Sequence, residues 1–364
     1  MDLYQKISIL GPSAQYDTCG PKDFGGTTDI PGVYRAKLSG NRTCRLFKVL
    51  QSNFCVNNCA YCAFRRDRSV VRTETTADEM AKAFYSAYSR RLVEGFFLSS
   101  GISGTTAQTM TKMLDTANIL RKRYHYRGYI HLKIMPKTTA DIIRESLKLA
   151  NRISLNIESP TELGLSRLSP EKNLRKDVFY TLSLIKSEIK KLKFSGAFGR
   201  RNPSVTTQFV VGAADENDKE IIDSAHFLYK NFGLKRIFYS AFRPVPQTPL
   251  AEKPATSLMR EHRLYQTDFL LRFYRFSAQS IPLDANGFLA ASADPKMIWA
   301  KSNPQLFPIN LNYADYWDLL KVPGLGPTAA KKITNLRKIA KIKSLDQFKN
   351  MRIQTNKMKP FVCL

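Results

Sequence analysis

The stretch Asn53–Phe64 reads NFCVNNCAYCAF and contains three of the chain's six cysteines, Cys55, Cys59 and Cys62, at the spacing C-x3-C-x2-C. A structural zinc ion ordinarily takes four ligands, and none of the four histidines lies at zinc-finger spacing from this triplet. A redox C-x-x-C pair would leave Cys55 unexplained. Iron–sulfur clusters are bound by cysteine thiolates, and a cluster held by three of them leaves one iron open to bind a ligand directly. The triplet therefore favours an open iron–sulfur centre over structural zinc.

The charge of the chain is strongly positive, with 57 Lys and Arg against 30 Asp and Glu and a net charge of +27. A charge of this size concentrates polyanions near a protein surface and makes their binding salt-dependent. Nucleic acid is the first candidate partner and an anionic membrane surface the second. The alternative is that the charge serves only solubility.

The chain shows no sign of a secreted or membrane-spanning protein. The opening residues MDLYQKISIL lack the basic and apolar regions of a signal peptide, and no run approaches the ~20 apolar residues of a membrane span. Half of the cysteines lie within the triplet, so they do not suggest a disulfide framework. We expect a cytoplasmic protein that binds no membrane.

Short apolar runs alternate with amphipathic helical stretches from residue 45 onward. The predicted strands are 45–50, 95–101, 128–136, 152–159, 206–212 and 236–242. The predicted helices are 77–94, 105–123, 138–150, 174–192 and 217–231. Alternating strands and helices predict an α/β fold with a parallel sheet, open or closed into a barrel.

Two of these strands carry polar residues on one face. Successive strand residues point to opposite faces, so Ser154, Asn156 and Glu158 share one face, opposite Ile153, Leu155 and Ile157. The segment 128–136 alternates in the same way, with Tyr129, His131 and Lys133 on its polar face. A strand buried on both faces would be apolar throughout. The polar faces therefore indicate a lumen that holds a polar ligand, or else solvated edge strands; His131 could equally be a satisfied core histidine.

The stretch LLKVPGLGPTAAKKI at 319–333 predicts two helices joined by a glycine hairpin. Gly324 and Gly326, on either side of Leu325, allow close approach of a phosphate, and Pro327 begins a helix whose free N–H groups point to the same place. Thr328, Lys331 and Lys332 add a hydroxyl and two charges. This P-G-x-G pattern is typical of a helix-hairpin-helix that binds the nucleic-acid backbone. The alternative is a tight turn that serves only packing or a protein partner.

The cysteine triplet, with Tyr61 before its last cysteine, resembles the signature of the radical S-adenosylmethionine (SAM) enzymes. More narrowly, RLFKVLQSNFCVNNCAYCAFRR, EGFFLSSGISG, VVGAADENDKEI and NLNYADYWDLLKVPGLG together resemble a family of radical SAM proteins described as DNA modification and repair proteins. The resemblance covers nearly the whole chain, including the hairpin. It implies a partial (β/α)6 barrel with a small C-terminal all-α helix-hairpin-helix module.

The resemblance also implies a site. The three cysteines would bind a 4Fe–4S cluster whose open iron chelates SAM. The residues implied to contact SAM are Tyr61, Ser99, Ser100, Gly101, Asn156, Glu158 and Gly212. Ser99–Gly101 stands where the superfamily usually has a Gly-Gly-Glu-type motif, so its carboxylate is missing here.

The implied reaction begins with reductive cleavage of SAM to a 5'-deoxyadenosyl radical, which abstracts hydrogen from nucleic acid, most simply DNA, during modification or repair. One alternative is a radical SAM enzyme that modifies RNA or tRNA. Another is a non-catalytic iron–sulfur protein that binds nucleic acid, although an open iron and a polar lumen favour catalysis. The resemblance implies a flavodoxin- or ferredoxin-like electron donor and a uracil-DNA-glycosylase-like companion.

We expect four segments: a lead-in of extended chain at 1–44, a radical SAM core at 45–250, a helical and proline-rich connector at 251–307, and the hairpin module at 308–364. Cys19 and Cys44 could complete a second cluster, donate a hydrogen atom, or simply be buried. The role of Cys363 stays open.

Overall fold

The computed structural model describes residues 1–17, 30–37, 43–196, 203–351 and 353–364, so Cys19 lies outside the described residues. The described chain forms two compact units. The first contains Met1–Glu216 and Phe227–Ser257, and the second contains Asn217–His226 and Leu258–Leu364. None of the described helices has the length and apolar character that a bilayer crossing requires. The segment boundaries expected from the sequence remain predictions.

A seven-stranded sheet organises the first unit, with the strands in sequential order. They are β1 (Val33–Lys37), β2 (Thr43–Leu50), β3 (Gly95–Ser99), β4 (Tyr129–Lys133), β5 (Arg152–Ser154), β6 (Ser204–Val211) and β7 (Arg236–Ala241). The β1–β2 pair is antiparallel and every later pair is parallel. Six parallel strands in chain order confirm the predicted partial (β/α)6 barrel.

Helices connect the parallel strands, as such neighbours require, and one further helix, the first in the chain, precedes β1. They are α1 (Leu3–Ser13), α2 (Ala77–Ser89), α3 (Thr106–Lys122), α4 (Ala140–Leu149), α5 (Glu162–Leu168), α6 (Tyr180–Phe194) and α7 (Asp218–Phe232). Reciprocal capping boxes begin α2, at Thr76 and Glu79, and α3, at Thr105 and Gln108, and each satisfies backbone N–H groups that the first turn leaves free. A π-helical turn, Leu174–Phe179, precedes α6.

The expectation of extended chain at the N-terminus is wrong for residues 3–13, which form α1. Gly11 and Pro12, residue types that usually favour turns, lie in the last turn of this helix. Gly11 is needed for packing, because a Cβ there would lie 2.3 Å from the backbone nitrogen of Gly32. The close approach explains how a turn-forming residue can serve inside a helix.

The strand predicted at 152–159 is shorter in the structure, where β5 ends at Ser154. The chain continues beside β6 through hydrogen bonds from the N–H groups of Leu155 and Glu158. Glu158 has a φ of 68°, and this left-handed conformation interrupts the pleat. The predicted alternation nevertheless holds, because Ile153, Leu155 and Ile157 are fully buried while Asn156 and Glu158 line a cavity.

The second unit is mainly helical. It contains part of α7, then α8 (Leu258–Phe273), α9 (Pro295–Lys301), α10 (Tyr316–Lys321), α11 (Pro327–Ile339) and α12 (Thr355–Met358). Two short strands, β8 (Ile309–Asn310) and β9 (Val362–Cys363), pair in parallel and add to the expected all-α module. The fully buried Leu319, Leu320 and Ile333 join α10 to α11 in the core of this unit.

Candidate active site and nucleic-acid interface

A cavity of about 550 Å³ lies at the carboxyl ends of the parallel strands in the first unit. Its walls include residues that follow β3, β4, β5 and β7, together with the loop that connects β2 to α2. Open α/β sheets place their ligand sites at this edge. The cavity is therefore where the predicted cofactor residues should meet.

The three cysteines of the triplet all line this cavity. Cys59 is buried, with its Sγ 3.1 Å from Ser169 Oγ, and Cys62 Sγ accepts a hydrogen bond from the N–H of Phe64 at 3.4 Å. The described residues contain no set of three His, Cys, Asp or Glu side chains that converges on one metal ion. Thiolates of an iron–sulfur cluster bind different irons, so they need not converge on one point. The donor set therefore fits a cluster.

Arg72 fixes the shape of the cysteine loop. Its guanidinium donates hydrogen bonds to the backbone carbonyls of Asn53, Phe64, Arg65 and Arg68. Hydrogen bonds from a charged donor are among the stronger kind. Arg72 was not predicted as part of the site, although it belongs to an arginine-rich stretch shortly after the triplet, RRDRSVVR, that could have indicated a role in this loop.

Burial and mutual repulsion favour the protonated form of two of the thiols, Cys59 and Cys62. Burial raises the pKa of Cys62 to about 12, and the neighbouring Cys59 adds to the effect. Burial also raises the pKa of Cys59, although Lys172 and Ser169 oppose it. Thiols of this kind lose their protons when metal binds. Assembly of a metal centre here should therefore release protons.

A charged pair lies beside Cys59. Lys172 Nζ is 3.8 Å from Glu158 Oε1, and both side chains are largely buried. Burial alone would lower the pKa of Lys172, but the Cys59 and Glu158 charges outweigh it and hold that pKa above its ordinary value. Burial, and then the Glu158 charge, raise the pKa of Tyr61 well above its ordinary value. No spacing pattern in the sequence indicated Lys172 or Ser169.

Glu158 carries a buried oxygen without a partner. Its Oε2 has no hydrogen-bond partner among the described residues, and the residue is only 4% exposed. Such an atom is costly unless something satisfies it. Because Glu158 lines the cavity, a donor on a bound ligand can fill this role.

Most of the residues predicted to contact SAM come together in the same cavity. Its walls include Tyr61, Ser99, Ser100, Gly101, Asn156 and Glu158. Gly101 packs tightly against the cysteine loop, because a Cβ there would lie 2.2 Å from the carbonyl oxygen of Phe54. Gly212 is not among the lining residues, and its N–H donates to the carboxylate of Glu216 instead.

His131 and Lys133 of β4 have different surroundings. His131 is buried, stacks on Phe97 with ring centroids 4.0 Å apart, and lies 2.9 Å from Ser154 Oγ. Burial, with the Arg152 and Lys133 charges, lowers its pKa well below the ordinary value. His131 is thus a neutral, satisfied core residue, whereas Lys133 lines the cavity and pairs with Asp17.

The remaining described cysteines lie apart from the lining. Cys44 belongs to β2 and Cys363 to β9, and neither lines the cavity. Both are free of disulfide bonds. Their predicted roles stay open.

The predicted hairpin joins α10 to α11 in the second unit. Gly324 has a φ of 83°, and a Cβ there would lie 2.9 Å from the carbonyl oxygen of Gln354. Leu325 is buried, and its carbonyl accepts a hydrogen bond from Lys296 Nζ at 2.5 Å.

Gly326 caps α11 without any side-chain hydrogen bond, so the first N–H groups of the helix need other partners. Thr328, Lys331 and Lys332 are exposed on α11. The hairpin therefore offers N–H groups and positive charge on one surface.

Two family models match the chain: the radical SAM superfamily at residues 49–228 and a helix-hairpin-helix motif at residues 307–358. Three curated relatives from Clostridium perfringens, all tRNA-2-methylthio-N(6)-dimethylallyladenosine synthases, are 24% identical over 176 residues. The match covers 47% of this chain and 36% of each relative's length.

Among solved structures, methylornithine synthase is similar with a TM-score of 0.49 and 14% identity, over 62% of this chain and 60% of that chain. The FeFe-hydrogenase maturase HydG from Carboxydothermus hydrogenoformans is similar with a TM-score of 0.46 and 16% identity, over 83% of this chain and 79% of that chain. The family match and the observed fold agree. The chain contains a radical SAM superfamily domain at residues 49–228, of a superfamily that uses a 4Fe–4S cluster and SAM, and it carries a C-terminal helix-hairpin-helix motif.

Proposed function

We propose that this enzyme modifies or repairs nucleic acid, with DNA as its target, by radical chemistry at the cavity of the first unit. The observation that carries the proposal is the presence, in one strongly basic chain, of a radical SAM domain and a helix-hairpin-helix motif. A backbone-binding module is useful to an enzyme whose substrate is nucleic acid. A backbone-binding module would give no evident advantage to an enzyme that acts on a small molecule.

In this proposal Cys55, Cys59 and Cys62 hold the cluster, and Ser99–Gly101, Asn156, Glu158 and Tyr61 bind SAM beside it. When bound, the cluster and SAM supply reductive cleavage of SAM and abstraction of a hydrogen atom from the substrate. The chain supplies the binding and orientation. Arg72 fixes the cysteine loop through four carbonyls.

Glu158 and Lys172 have complementary parts in this arrangement. The unpartnered Oε2 of Glu158 accepts a hydrogen bond from a hydroxyl or ammonium group of SAM, and Lys172 holds the other carboxylate oxygen in place through their 3.8 Å pair. A hydrogen bond to a buried carboxylate is worth more than one in water. The pair therefore orients SAM as well as binding it. Gly212 was also expected to contact SAM, and that contact stays a prediction.

The hairpin provides contacts to the sugar-phosphate backbone. Gly324 and Gly326 present backbone N–H groups, whereas the N–H of Leu325 donates to the carbonyl of Val322 within the hairpin. Thr328, Lys331 and Lys332 add a hydroxyl and positive charge on α11. Contacts of this kind position the duplex without reading its sequence. The target is then chosen at the cavity, where a base within a duplex would have to be unstacked and turned out.

One observation favours RNA as the alternative target. The curated relatives act, by their names, on tRNA. The similarity covers only 36% of their length, so their substrate does not transfer directly. A tRNA-modifying enzyme is thus the second candidate, and the helix-hairpin-helix, a module found most often on DNA-binding proteins, supports DNA as the first.

Two further elements of the proposal depend on the family resemblance: a flavodoxin- or ferredoxin-like electron donor and a uracil-DNA-glycosylase-like companion. A third, the cytoplasmic location, depends on the cysteine usage and the opening residues of the chain. The unbridged thiols at Cys44, Cys55, Cys59, Cys62 and Cys363 suit a reducing compartment.

The decisive experiment measures 5'-deoxyadenosine formed by anaerobically reconstituted, reduced protein. SAM would be supplied alone, then with duplex DNA, single-stranded DNA, uracil-containing DNA or bulk tRNA. Stimulation by one form of DNA but not by tRNA supports the proposal. Stimulation by tRNA alone makes the second candidate correct, and cleavage that no nucleic acid stimulates contradicts both.

A further inference from the structure

The turn that follows α5 contacts the cysteine loop on both sides of Cys59. The N–H of Asn58 donates a hydrogen bond to Glu171 Oε1 at 2.8 Å, and the N–H of Ala60 donates to the carbonyl of Leu168, also at 2.8 Å. Asn58 and Ala60 are the chain neighbours of Cys59. The turn therefore fixes the backbone around one of the three predicted cluster ligands.

Ser169, in the same turn, contacts the sulfur of this ligand. Its Oγ lies 3.1 Å from Cys59 Sγ, and within the described ranges that sulfur is the one partner of the hydroxyl. The backbone of Ser169 is held as well, because its N–H donates to the carbonyl of Leu165 and its carbonyl accepts from the N–H of Lys172. Ser169 is fully buried and does not line the cavity. It can therefore act on a group bound in the cavity only through Cys59.

The contact is specific to one sulfur of the triplet. Cys62 Sγ accepts its hydrogen bond from a backbone N–H, that of Phe64. Among the described residues, Ser169 supplies the one side chain that hydrogen-bonds to any of the three sulfurs. A side chain, unlike a backbone N–H, can be removed by a single substitution, so the effect of this hydrogen bond can be measured.

The direction of the hydrogen bond follows from the chemistry of a cluster ligand. Cysteine binds a metal as the thiolate, and a thiolate has no proton to donate. The hydroxyl of Ser169 is then the donor and Cys59 Sγ the acceptor. A hydrogen bond to a charged acceptor is of the stronger kind.

Reduction increases the negative charge that this hydroxyl faces. One electron, supplied by an external reductant, adds one negative charge to the cluster and its thiolates, while the proton stays on the Ser169 oxygen. A hydrogen bond donated to a thiolate therefore stabilises the reduced form more than the oxidised form. Hydrogen bonds to the sulfurs are among the factors that set the reduction potential of such clusters.

We propose that Ser169 is a positioning residue that raises the reduction potential of the cluster through its hydrogen bond to Cys59. This inference rests on the proposed function, because it requires Cys59 to be a cluster ligand. The turn after α5 then has two roles. It holds the backbone of the cysteine loop through Leu168 and Glu171, and it makes the cluster easier to reduce through Ser169.

The test is the midpoint potential of the full-length, cluster-loaded protein, measured by anaerobic titration with dithionite and followed by electron paramagnetic resonance of the reduced cluster. Neither SAM nor nucleic acid is present. The variants are Ser169→Ala, which lacks the hydroxyl, and Ser169→Thr, which retains it. Ser146→Ala is the matched control, because Ser146 is equally buried and its hydroxyl donates to the carbonyl of Ile142 within α4. Iron content is measured for every protein.

We expect Ser169→Ala to keep its iron and to lower the equilibrium constant for one-electron reduction about tenfold, which makes the midpoint potential more negative by about 59 mV. Ser169→Thr and Ser146→Ala should titrate like the wild type. A hydroxyl with a purely structural role would change the stability of the protein without moving the potential.

Three results would overturn the proposal. The first is an unchanged or more positive potential in Ser169→Ala, and the second is a potential in Ser169→Thr as negative as that of Ser169→Ala. The third is loss of the cluster from Ser169→Ala, because the hydroxyl would then be needed to hold the cluster and not to set its potential.

This result is separable from the proposed function. The titration involves no SAM cleavage, so an unchanged potential in Ser169→Ala leaves the 5'-deoxyadenosine assay untouched. The ligand assignment is tested independently by the iron content of Cys59→Ala. If Cys59→Ala kept a full cluster, the proposed site would be wrong, whereas an unchanged potential in Ser169→Ala contradicts only the role of Ser169.

Discussion

Single residues determine what the cavity can bind, and Glu158 is the clearest case. Its buried Oε2 lacks a partner and its backbone adopts a left-handed conformation, which costs of order 1–3 kcal/mol in a residue other than glycine. The surrounding structure maintains both features. A ligand that donates to this oxygen explains why the arrangement persists.

We expect Glu158→Gln to weaken SAM binding about tenfold, because one hydrogen bond to a charged acceptor becomes a neutral one. Equilibrium dialysis of labelled SAM against cluster-loaded protein measures the change. Glu145→Gln, at a half-exposed carboxylate on α4, is the matched control. Unchanged affinity in Glu158→Gln would remove this residue from the SAM site.

Alanine at Cys55, Cys59 or Cys62 should lower iron content after reconstitution to background, because a cluster cannot keep an iron that has lost its thiolate and found no replacement. Iron analysis and the visible absorbance of the cluster measure this. Cys363→Ala, outside the cavity, should reconstitute like wild type. A triplet variant that keeps a full cluster would contradict the ligand assignment.

Some residues of the cavity belong to a recognisable sequence pattern and were predicted, whereas others belong to none and were not. The cysteine triplet was predictable from its spacing and Asn156 from strand alternation, whereas Ser99–Gly101 was implied by the family resemblance. Lys172 and Asp17 reach the cavity from a turn and from the end of a short helical turn. Only the folded chain brings them there, so no local pattern could reveal them.

At the scale of elements, the hairpin depends on a buried lysine beneath it. Lys296 Nζ binds the carbonyl of Leu325 and lies 4.7 Å from the centre of the Tyr274 ring. Burial lowers its pKa to about 7, although the nearby Asp294 opposes the shift. Between that value and its ordinary pKa, the unfolded chain binds a proton that the folded chain lacks. Stability must therefore rise with pH across this window.

We expect the free energy of unfolding of the wild type, relative to Lys296→Met, to increase by about 2 kcal/mol from pH 7 to pH 9. Both tryptophans, Trp299 and Trp317, lie in the second unit, so urea unfolding followed by tryptophan fluorescence reports on it. A wild-type and variant difference that is constant with pH would show that Lys296 stays charged in the folded protein.

The hairpin itself gives a second prediction for this scale. Gly324→Ala puts a Cβ at a φ of 83° and 2.9 Å from a carbonyl oxygen, so we expect it to weaken DNA binding at least about tenfold, at a cost of order 1–3 kcal/mol in local strain. Fluorescence anisotropy with a labelled duplex measures binding. Gly233→Ala is the matched control, since Gly233 also has a positive φ but no atom within 4 Å of a Cβ.

Cleavage of SAM without nucleic acid should be the same in Gly324→Ala as in wild type, because the hairpin and the cavity belong to different units. If the variant lost DNA binding and uncoupled cleavage together, the separation of binding from chemistry would be wrong.

Elements were more predictable than their ends. The six parallel strands and their helices follow from apolar runs and capping residues, which are local. The helix α1 was missed because Gly11 and Pro12 mark turns in most sequences, and their use here depends on contact with Gly32. Strand alternation also does not reveal that β5 ends at Ser154 or that Glu158 adopts a left-handed conformation.

At the scale of the whole molecule, the chain combines a radical SAM domain with a helix-hairpin-helix motif and folds into two compact units. The grouping of Asn217–His226 with the C-terminal residues could not be predicted, because it depends on long-range contacts such as the 2.7 Å pair between Asp218 and Arg260. The pairing of functions, by contrast, follows from two local motifs, the cysteine triplet and the hairpin. The net charge of +27 is consistent with both.

The most direct test of this account asks where the abstracted hydrogen comes from. Reduced, cluster-loaded protein would react with SAM in ordinary water in the presence of fully deuterated DNA, and the 5'-deoxyadenosine would be analysed by mass spectrometry. The account predicts product that carries deuterium, and product without deuterium when the DNA is unlabelled. If deuterated DNA gave only unlabelled 5'-deoxyadenosine, DNA would not be the source of the hydrogen. That result would contradict DNA as the substrate, whether or not deuterated tRNA gave labelled product.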